Sequence, residues 1–261
     1  MADLASGKIR LWQILGTGID HFDMDYWRQK NIPVANTPGQ FSAVALAECA
    51  MMFILMLARQ YPVTQQNLQS GHFYDPLGME LEGLKLAMIG FGASARELAR
   101  RARPFGLRLM AIDIRDISPE EQQEFGLEFV GKPDQIDHVI AECDILSLHL
   151  HLNASTKHII DARRLGLLKP SAFLINVARG ELVDEQALET ALVEERIGGA
   201  GVDVYGQEPP DTSRPFFSLR NVVATPHSSG VTNGTSWRRA QCCADNVDRL
   251  AQGLEALYRV D

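Results

Sequence analysis

The chain has 261 residues, and its 25 Lys+Arg against 33 Asp+Glu give a formal net charge of −8. That acidic balance argues against a nucleic-acid or anionic-membrane surface as the main partner. A hydrophobic content of 46% with 22% charged residues excludes a mainly disordered chain and suits one large domain or two small ones.

The longest apolar stretch, 43–58, is interrupted by Glu48. It falls short of the roughly 18 uninterrupted apolar residues of a membrane helix and is expected to be a buried helix. The opening MADLASGKIR lacks the apolar core of a secretory signal. Cys49, Cys143, Cys242 and Cys243 form no C-x-x-C pair, so neither a disulfide framework nor a zinc site is expected. A reducing cytoplasm is the expected compartment.

In chain order, strands are expected at 9–15 and 32–35, then one long helix over 42–71. Within it, Met51, Met52, Phe53, Leu55 and Met56 form an apolar stripe that suits a core or a subunit interface. From residue 84 onward, short apolar runs alternate with helical patterns, the signature of a parallel α/β sheet. Strands are expected at 84–91, 107–114, 125–131 (weaker), 145–150, 173–178, 200–205 and 222–226. Helices are expected at 93–105, 136–143 and 184–195, the last with Asp184 as its N-cap. A final helix over about 235–258 follows the sheet. The middle, 53–228, reads as a nucleotide-type domain of six or seven strands, and 1–52 with 229–261 as a second, smaller domain.

The segment Ile89-Gly90-Phe91-Gly92-Ala93-Ser94-Ala95 ends a strand and opens a helix. This is a G-x-G-x-x-A form of the dinucleotide fingerprint. Gly90 allows the tight turn, Gly92 lets backbone approach a pyrophosphate, and Ala95 permits close helix–sheet packing. Phosphate oxygens would meet the N–H groups of the helix N-terminus. Asp113 ends the next strand at the spacing where an acid binds the ribose hydroxyls of NAD, and its charge repels a 2′-phosphate. Arg115 beside it leaves some room for one.

Ligands bind beyond the carboxyl ends of strands in an open α/β sheet. His149 and His151, Arg179-Gly180, Gln207-Glu208 and His227 all fall there. An imidazole can carry a proton near neutral pH, a carboxylate on its far nitrogen fixes the tautomer, and an arginine offers a planar fork to a carboxylate. His149 and His151 share a strand face, but no third ligand follows at suitable spacing and no metal site is expected.

The strings GTGID, IPVANTPG, MIGFGASARELA, MAIDIR, LSLHL, FLINVARGELVDEQAL, GAGVDVYGQEPP and VVATPHSSG resemble the D-isomer-specific 2-hydroxyacid dehydrogenases. The resemblance runs from about Ile9 to the C-terminus. It implies a Rossmann-type parallel-sheet NAD domain and a smaller flavodoxin-like substrate domain. Only eight residues precede Ile9, where family members carry further βα units, so the smaller domain is expected to be N-terminally incomplete. The resemblance implies hydride transfer between NAD(H) and a small 2-hydroxy or 2-oxo acid of the phosphoglycerate, glycerate or glyoxylate/hydroxypyruvate type. Arg179 would then bind substrate, Glu208 orient, and His227 act as acid and base. Thr17 and Gly18 lie in the substrate loop, and Arg179 and His227 also face substrate. NAD would be held by Gly90, Gly92, Ala93, Ser94, Ala95, Asp113, His149, Val177, Ala178, Arg179, Asp203, His227 and Ser229. Two departures stand out: Ala95 replaces the third glycine, and Ala93 stands where many relatives have a basic residue. The resemblance implies a homodimer formed through the nucleotide domain. A second reading is a non-catalytic NAD-binding regulator, since corepressor-like relatives keep the same three residues.

Overall fold

The computed structural model describes residues 3, 7–20 and 22–261; the other positions of the expected 1–52 segment lie outside the described residues. In chain order the elements are β1 (Trp12–Gln13), α1 (Met24–Gln29), β2 (Val34–Ala35), α2 (Ala43–Ala58), α3 (Tyr61–Ser70), β3 (Lys85–Ile89), α4 (Ala93–Ala102), β4 (Arg108–Ile112), α5 (Pro119–Phe125), β5 (Leu127–Gly131), α6 (Ile136–Glu142), β6 (Ile145–Leu148), α7 (Ala162–Leu165), β7 (Phe173–Asn176), α8 (Glu185–Val193), β8 (Gly199–Val202), β9 (Val222–Ala224) and α9 (Asn233–Ala251). They fall into two compact units. One is Leu46–Ser229; the other is the described part of Met1–Ala45 with Gly230–Asp261. The sequence sets these divisions at 52/53 and 228/229.

The larger unit is a seven-stranded, wholly parallel sheet in the order β5-β4-β3-β6-β7-β8-β9. Its strands are apolar on both faces, as a parallel sheet covered on both sides requires. Leu86, Ala87, Met88 and Ile89 of β3 are each at most 1% exposed. From Leu46 onward α2 packs on one face, burying Ala47, Ala50, Phe53, Ile54 and Leu57. Phe53 presses so closely on β8 that a Cβ at Gly201 would lie 2.5 Å from its own Cβ. The order reverses between β3 and β6, where the connections leave in opposite directions. That switch point is where an open α/β sheet takes its ligand.

Several expected elements come out differently. The helix expected over 42–71 is two helices, α2 and α3, bent by 53°. Gln60 turns left-handed (φ +45°) and Pro62 opens α3, because proline has no N–H to continue the first helix. No single helix among the described residues is long and apolar enough to cross a membrane. The helix expected over 93–105 stops at Ala102, and Arg103–Phe105 tightens into a 3-10 turn containing Pro104. Polar α5 was not foreseen; Ser118 caps it by accepting from Glu121 N at 3.2 Å. Asp184 does cap α8, accepting from Ala187 N at 3.0 Å.

In the smaller unit the strand expected over 9–15 pairs only at Trp12 and Gln13, beside Val34 and Ala35. Trp27, Ile32 and Val34 form its core, with the Trp12 ring tilted against Trp27 at a centroid distance of 4.9 Å. Buried Asn246 of α9 ties the ends together, donating to Gln13 Oε1 at 2.7 Å and accepting from Leu257 N at 2.7 Å. α9 ends at Ala251 rather than near 258, at a turn with Gly253 left-handed (φ +77°). The chain then runs along β2, with Val260 N bonded to Val34 O at 2.9 Å.

Candidate active site

The glycine turn after β3 sits at the switch point. Gly90 has φ +87°, and a Cβ there would lie 2.7 Å from the His149 carbonyl oxygen at the end of β6. Only glycine fits that approach. Gly92 is the N-cap of α4; no side chain caps the helix, and a Cβ at Gly92 would meet nothing within 4 Å. The first N–H groups of α4 therefore face open space, the arrangement that receives a phosphate. Ala95 is fully buried against the sheet. At the end of β4, Asp113 Oδ2 accepts from Phe91 N at 2.6 Å and Oδ1 from Arg115 N at 2.8 Å. The acid is thus anchored to the turn itself. These features fit a dinucleotide.

Ser94, in the first turn of α4, bonds His149 Nδ1 at 2.9 Å, and Ser147 Oγ meets Nε2 at 2.9 Å. The ring joins the phosphate-facing helix to β6, and burial pushes its pKa down to about 4. His151 is exposed, while the His149 ring is held between Ser94 and Ser147. Among the described residues no group of three metal-ligating side chains occurs.

Beyond the next three strands lie the remaining candidates. Asn176 ends β7 and shapes the Val177–Gly180 turn: its Nδ2 donates to Arg179 O at 2.8 Å and its Oδ1 accepts from Ala178 N at 3.1 Å. Arg179, extended and half-buried, donates through Nη1 to Ala178 O at 2.8 Å. A Cβ on Gly180 would lie 2.0 Å from the Tyr205 carbonyl carbon, so this turn backs directly on the loop after β8. In that loop Glu208 Oε1 accepts from Tyr205 N at 3.1 Å, and Oε2 lies 2.7 Å from His227 Nδ1. The pair is solvent-accessible, with His227 48% and Glu208 36% exposed. The tautomer with a proton on Nδ1 donates to Glu208 and leaves Nε2 for chemistry.

Behind this pair lies Asp203, fully buried. It accepts from the Thr225 hydroxyl at 2.5 Å and from Ser228 N and Ser229 N, both at 2.8 Å. It clasps the loop that presents His227, whose own backbone is left-handed (φ +51°). Tyr205 donates its hydroxyl to Thr225 O at 2.8 Å; burial, with the charges of Asp203 and Glu208, pushes its pKa up to about 12. Burial likewise pushes the Cys49 thiol up to about 12, which leaves it a poor nucleophile.

Sequence reasoning did not foresee Asn176, the Gly180 approach or Tyr205. The Asn-x-x-Arg-Gly spacing is the one signal that could have found the first two. In the smaller unit Thr17 Oγ1 donates to Thr37 O at 3.1 Å, Thr37 N to Gly16 O at 3.1 Å, and Asn36 Nδ2 to Thr17 O at 2.9 Å. These bonds pin the loop holding Gly18.

Residues 51–229 match the family model described as D-isomer specific 2-hydroxyacid dehydrogenase, NAD binding domain. The chain belongs to this family. A 2-hydroxyacid dehydrogenase of this kind is an oxidoreductase that pairs NAD(H) with a 2-hydroxy or 2-oxo acid. The chain is 34% identical to the (S)-sulfolactate dehydrogenase of Chromohalobacter salexigens over 93% of its own length and 77% of the relative's. It is 37% identical to the hydroxypyruvate reductase of Thermotoga maritima, covering 87% of this chain and 73% of that one. Its fold matches the Aquifex aeolicus D-lactate dehydrogenase solved with NAD and lactic acid. The TM-score is 0.85 at 27% identity, with 97% of this chain and 80% of that one covered. These relatives are dehydrogenases and reductases, and they lend no support to the regulator reading.

Proposed function

We propose that this dehydrogenase reduces a small 2-oxo acid of the glyoxylate or hydroxypyruvate type, with His227 as proton donor. The observation that carries the reading is the 2.7 Å bond between His227 Nδ1 and Glu208, on two loops at the carboxyl edge of the sheet that also bears Arg179. When bound, the nicotinamide cofactor supplies the hydride chemistry. The chain supplies the rest. The N–H groups at Gly92–Ser94 would hold the pyrophosphate and Asp113 the adenosine ribose. Val177, Ala178 and Ser229 would hold the nicotinamide end, and Asp203 fixes the Ser228–Ser229 backbone from behind. Arg179, through its fork, takes the substrate carboxylate.

His227 delivers its proton from Nε2 to the oxygen of the carbonyl group. Glu208 holds the ring by Nδ1 and stabilises the imidazolium before transfer. In the oxidative direction neutral His227 takes the hydroxyl proton.

Turnover with NADH on glyoxylate, hydroxypyruvate and 3-phosphohydroxypyruvate tests the reading. Reduction of one of the first two with the highest kcat/KM is expected, and Arg179→Lys should raise KM and lower kcat because a point charge cannot replace the fork. NADH binding without turnover on any 2-oxo acid would favour a regulator. A homodimer is part of the proposal. Phe73, Tyr74 and Leu77 are 69%, 106% and 91% exposed, and Leu77 borders, with Met56 and Leu219, a groove of about 960 Å³. Sedimentation mass checks it.

A further inference from the structure

The adenosine end of the site carries more charge than a ribose diol requires. Arg115 lies beyond Asp113, and its guanidinium turns back to the fingerprint, with Nη2 3.2 Å from Phe91 O. The neighbouring Phe91 N–H goes to Asp113 at 2.6 Å. One residue of the glycine turn is therefore bonded by the acid through its N–H and by the guanidinium through its carbonyl. Both charges sit where a dinucleotide ribose would lie.

Arg115 is not left open to that space. Glu121 of α5 takes it at two points, Nη1 to Oε2 at 2.7 Å and Nη2 to Oε1 at 2.9 Å. The same carboxylate pairs with Arg96 of α4, Nη2 to Oε1 at 2.8 Å. Arg96 Nε is buried without a hydrogen-bond partner among the described residues, so this guanidinium is not fully satisfied. The Glu121 side chain is 16% exposed, and its bond from Arg115 holds the carboxyl below the usual carboxylate range. An ionised, largely sequestered carboxylate thus engages two arginines from two different elements. A planar guanidinium beyond the second strand is the group that accommodates a 2′-phosphate in folds of this kind.

We infer that Glu121 is a specificity-determining residue: it holds Arg115 and Arg96 closed to a phosphate monoester on the adenosine ribose, so that the chain excludes NADP(H) by two carboxylates rather than one. The inference rests on the cofactor assignment proposed above. Asp113 acts by repulsion at the ribose, and Glu121 acts one step away by competing for the cations. Neutralising Asp113 alone leaves both arginines engaged, while neutralising Glu121 alone releases them beside a repelling acid. The two changes together create a two-arginine phosphate site.

Calorimetric titration of the full chain with 5′-ADP, 2′,5′-ADP, NADH and NADPH tests this without using turnover. Glu121→Gln keeps the shape and removes the charge. It should tighten 2′,5′-ADP and NADPH roughly tenfold, the worth of about one charge-assisted hydrogen bond, with 5′-ADP and NADH within about twofold. Asp113→Asn with Glu121→Gln should tighten NADPH by roughly a hundredfold. Adding Arg115→Met to Glu121→Gln should remove most of that variant's gain. Glu121→Ala serves as the second variant, with 5′-ADP binding as the measure of an intact site.

Unchanged 2′,5′-ADP affinity in both Glu121 variants, with 5′-ADP binding intact, overturns the inference and leaves the cofactor assignment standing. A Glu121→Gln gain that survives Arg115→Met in full overturns it as well. So does loss of 5′-ADP binding in both variants, because Glu121 would then build the adenosine site rather than select within it. Wild-type protein that binds neither NADH nor 5′-ADP overturns the cofactor assignment together with the inference.

Discussion

Asp203 and Glu208 follow the same strand, β8, yet one is fully buried with three donors around it and the other is 36% exposed with one peptide N–H and one imidazole. In the inner layer the charge is consumed by fixed backbone dipoles, and the carboxylate acts as a clasp on the 225–229 segment. In the outer layer the charge is left to a group that gains and loses a proton. A carboxylate's role is set by how many donors reach it before any ligand arrives, because each such bond already stabilises the charged form.

The outer layer should show the largest effect on activity. Replacing His227 by Ala removes the acid, and kcat for 2-oxo acid reduction should fall by roughly 10² to 10⁴, with the NADH dissociation constant almost unchanged. Retention of most of the rate would show that the proton comes from elsewhere and would erase the distinction between the layers.

The inner layer should show its effect first in stability. Asp203→Ala strands the Thr225 hydroxyl and the Ser228 and Ser229 N–H groups in a buried site. A loss of about 2 to 4 kcal/mol in unfolding free energy is expected, with cooperative denaturant melts as the check. A stable Asp203→Ala protein would mean that the clasp is dispensable.

His149 extends the comparison to pH. Its folded pKa, lowered by burial from 6.5 to about 4, means that the unfolded chain protonates first as pH falls. Its stabilising contribution is complete above pH 6.5 and is lost progressively as pH falls from about 6.5 to about 4, by about 3 kcal/mol in all. Melts across that window on wild type and His149→Gln should show a shallower decline in the variant. Parallel declines would assign the acid sensitivity to other groups.

The mildest expected change is Glu208→Gln. It retains a hydrogen-bond acceptor for His227 but removes the charge that stabilises the imidazolium before transfer, so kcat for 2-oxo acid reduction should fall by less than in His227→Ala, with KM almost unchanged. A kcat equal to the wild type's would reduce Glu208 to a spacer.

The larger unit was legible because its strands are buried on both faces and read as unbroken apolar runs, and because Gly90, Gly92 and Asp113 announce a turn and an acid at a known spacing. The outer layer was legible through the strings around Arg179, Glu208 and His227. The inner layer was not. Asp203 lies in an apolar strand pattern, and nothing local says that its partners lie more than twenty residues later. Gly180 carries no sign that Tyr205 approaches it. α5 went unseen because PEEQQEF has one buried apolar side chain, Phe125, and so no amphipathic period; Ser118-Pro119 was its only signal. The break between α2 and α3 was signalled by Pro62, but the surrounding apolar pattern masked it.

The hydrogen bond from Val34 N to Asp261 Oδ1, at 3.0 Å, joins residues 227 apart in the chain. With the Val260–Val34 bond it flanks the second strand of the smaller unit. During synthesis, every residue of the Leu46–Ser229 unit has been added before the last segment of the smaller unit exists. The nucleotide-type core can therefore assemble on a nascent chain while its companion still lacks an edge. Until residues 259–261 emerge, the β1–β2 pair waits with β2 open along one side, a span of translation in which that edge is free to pair with another chain.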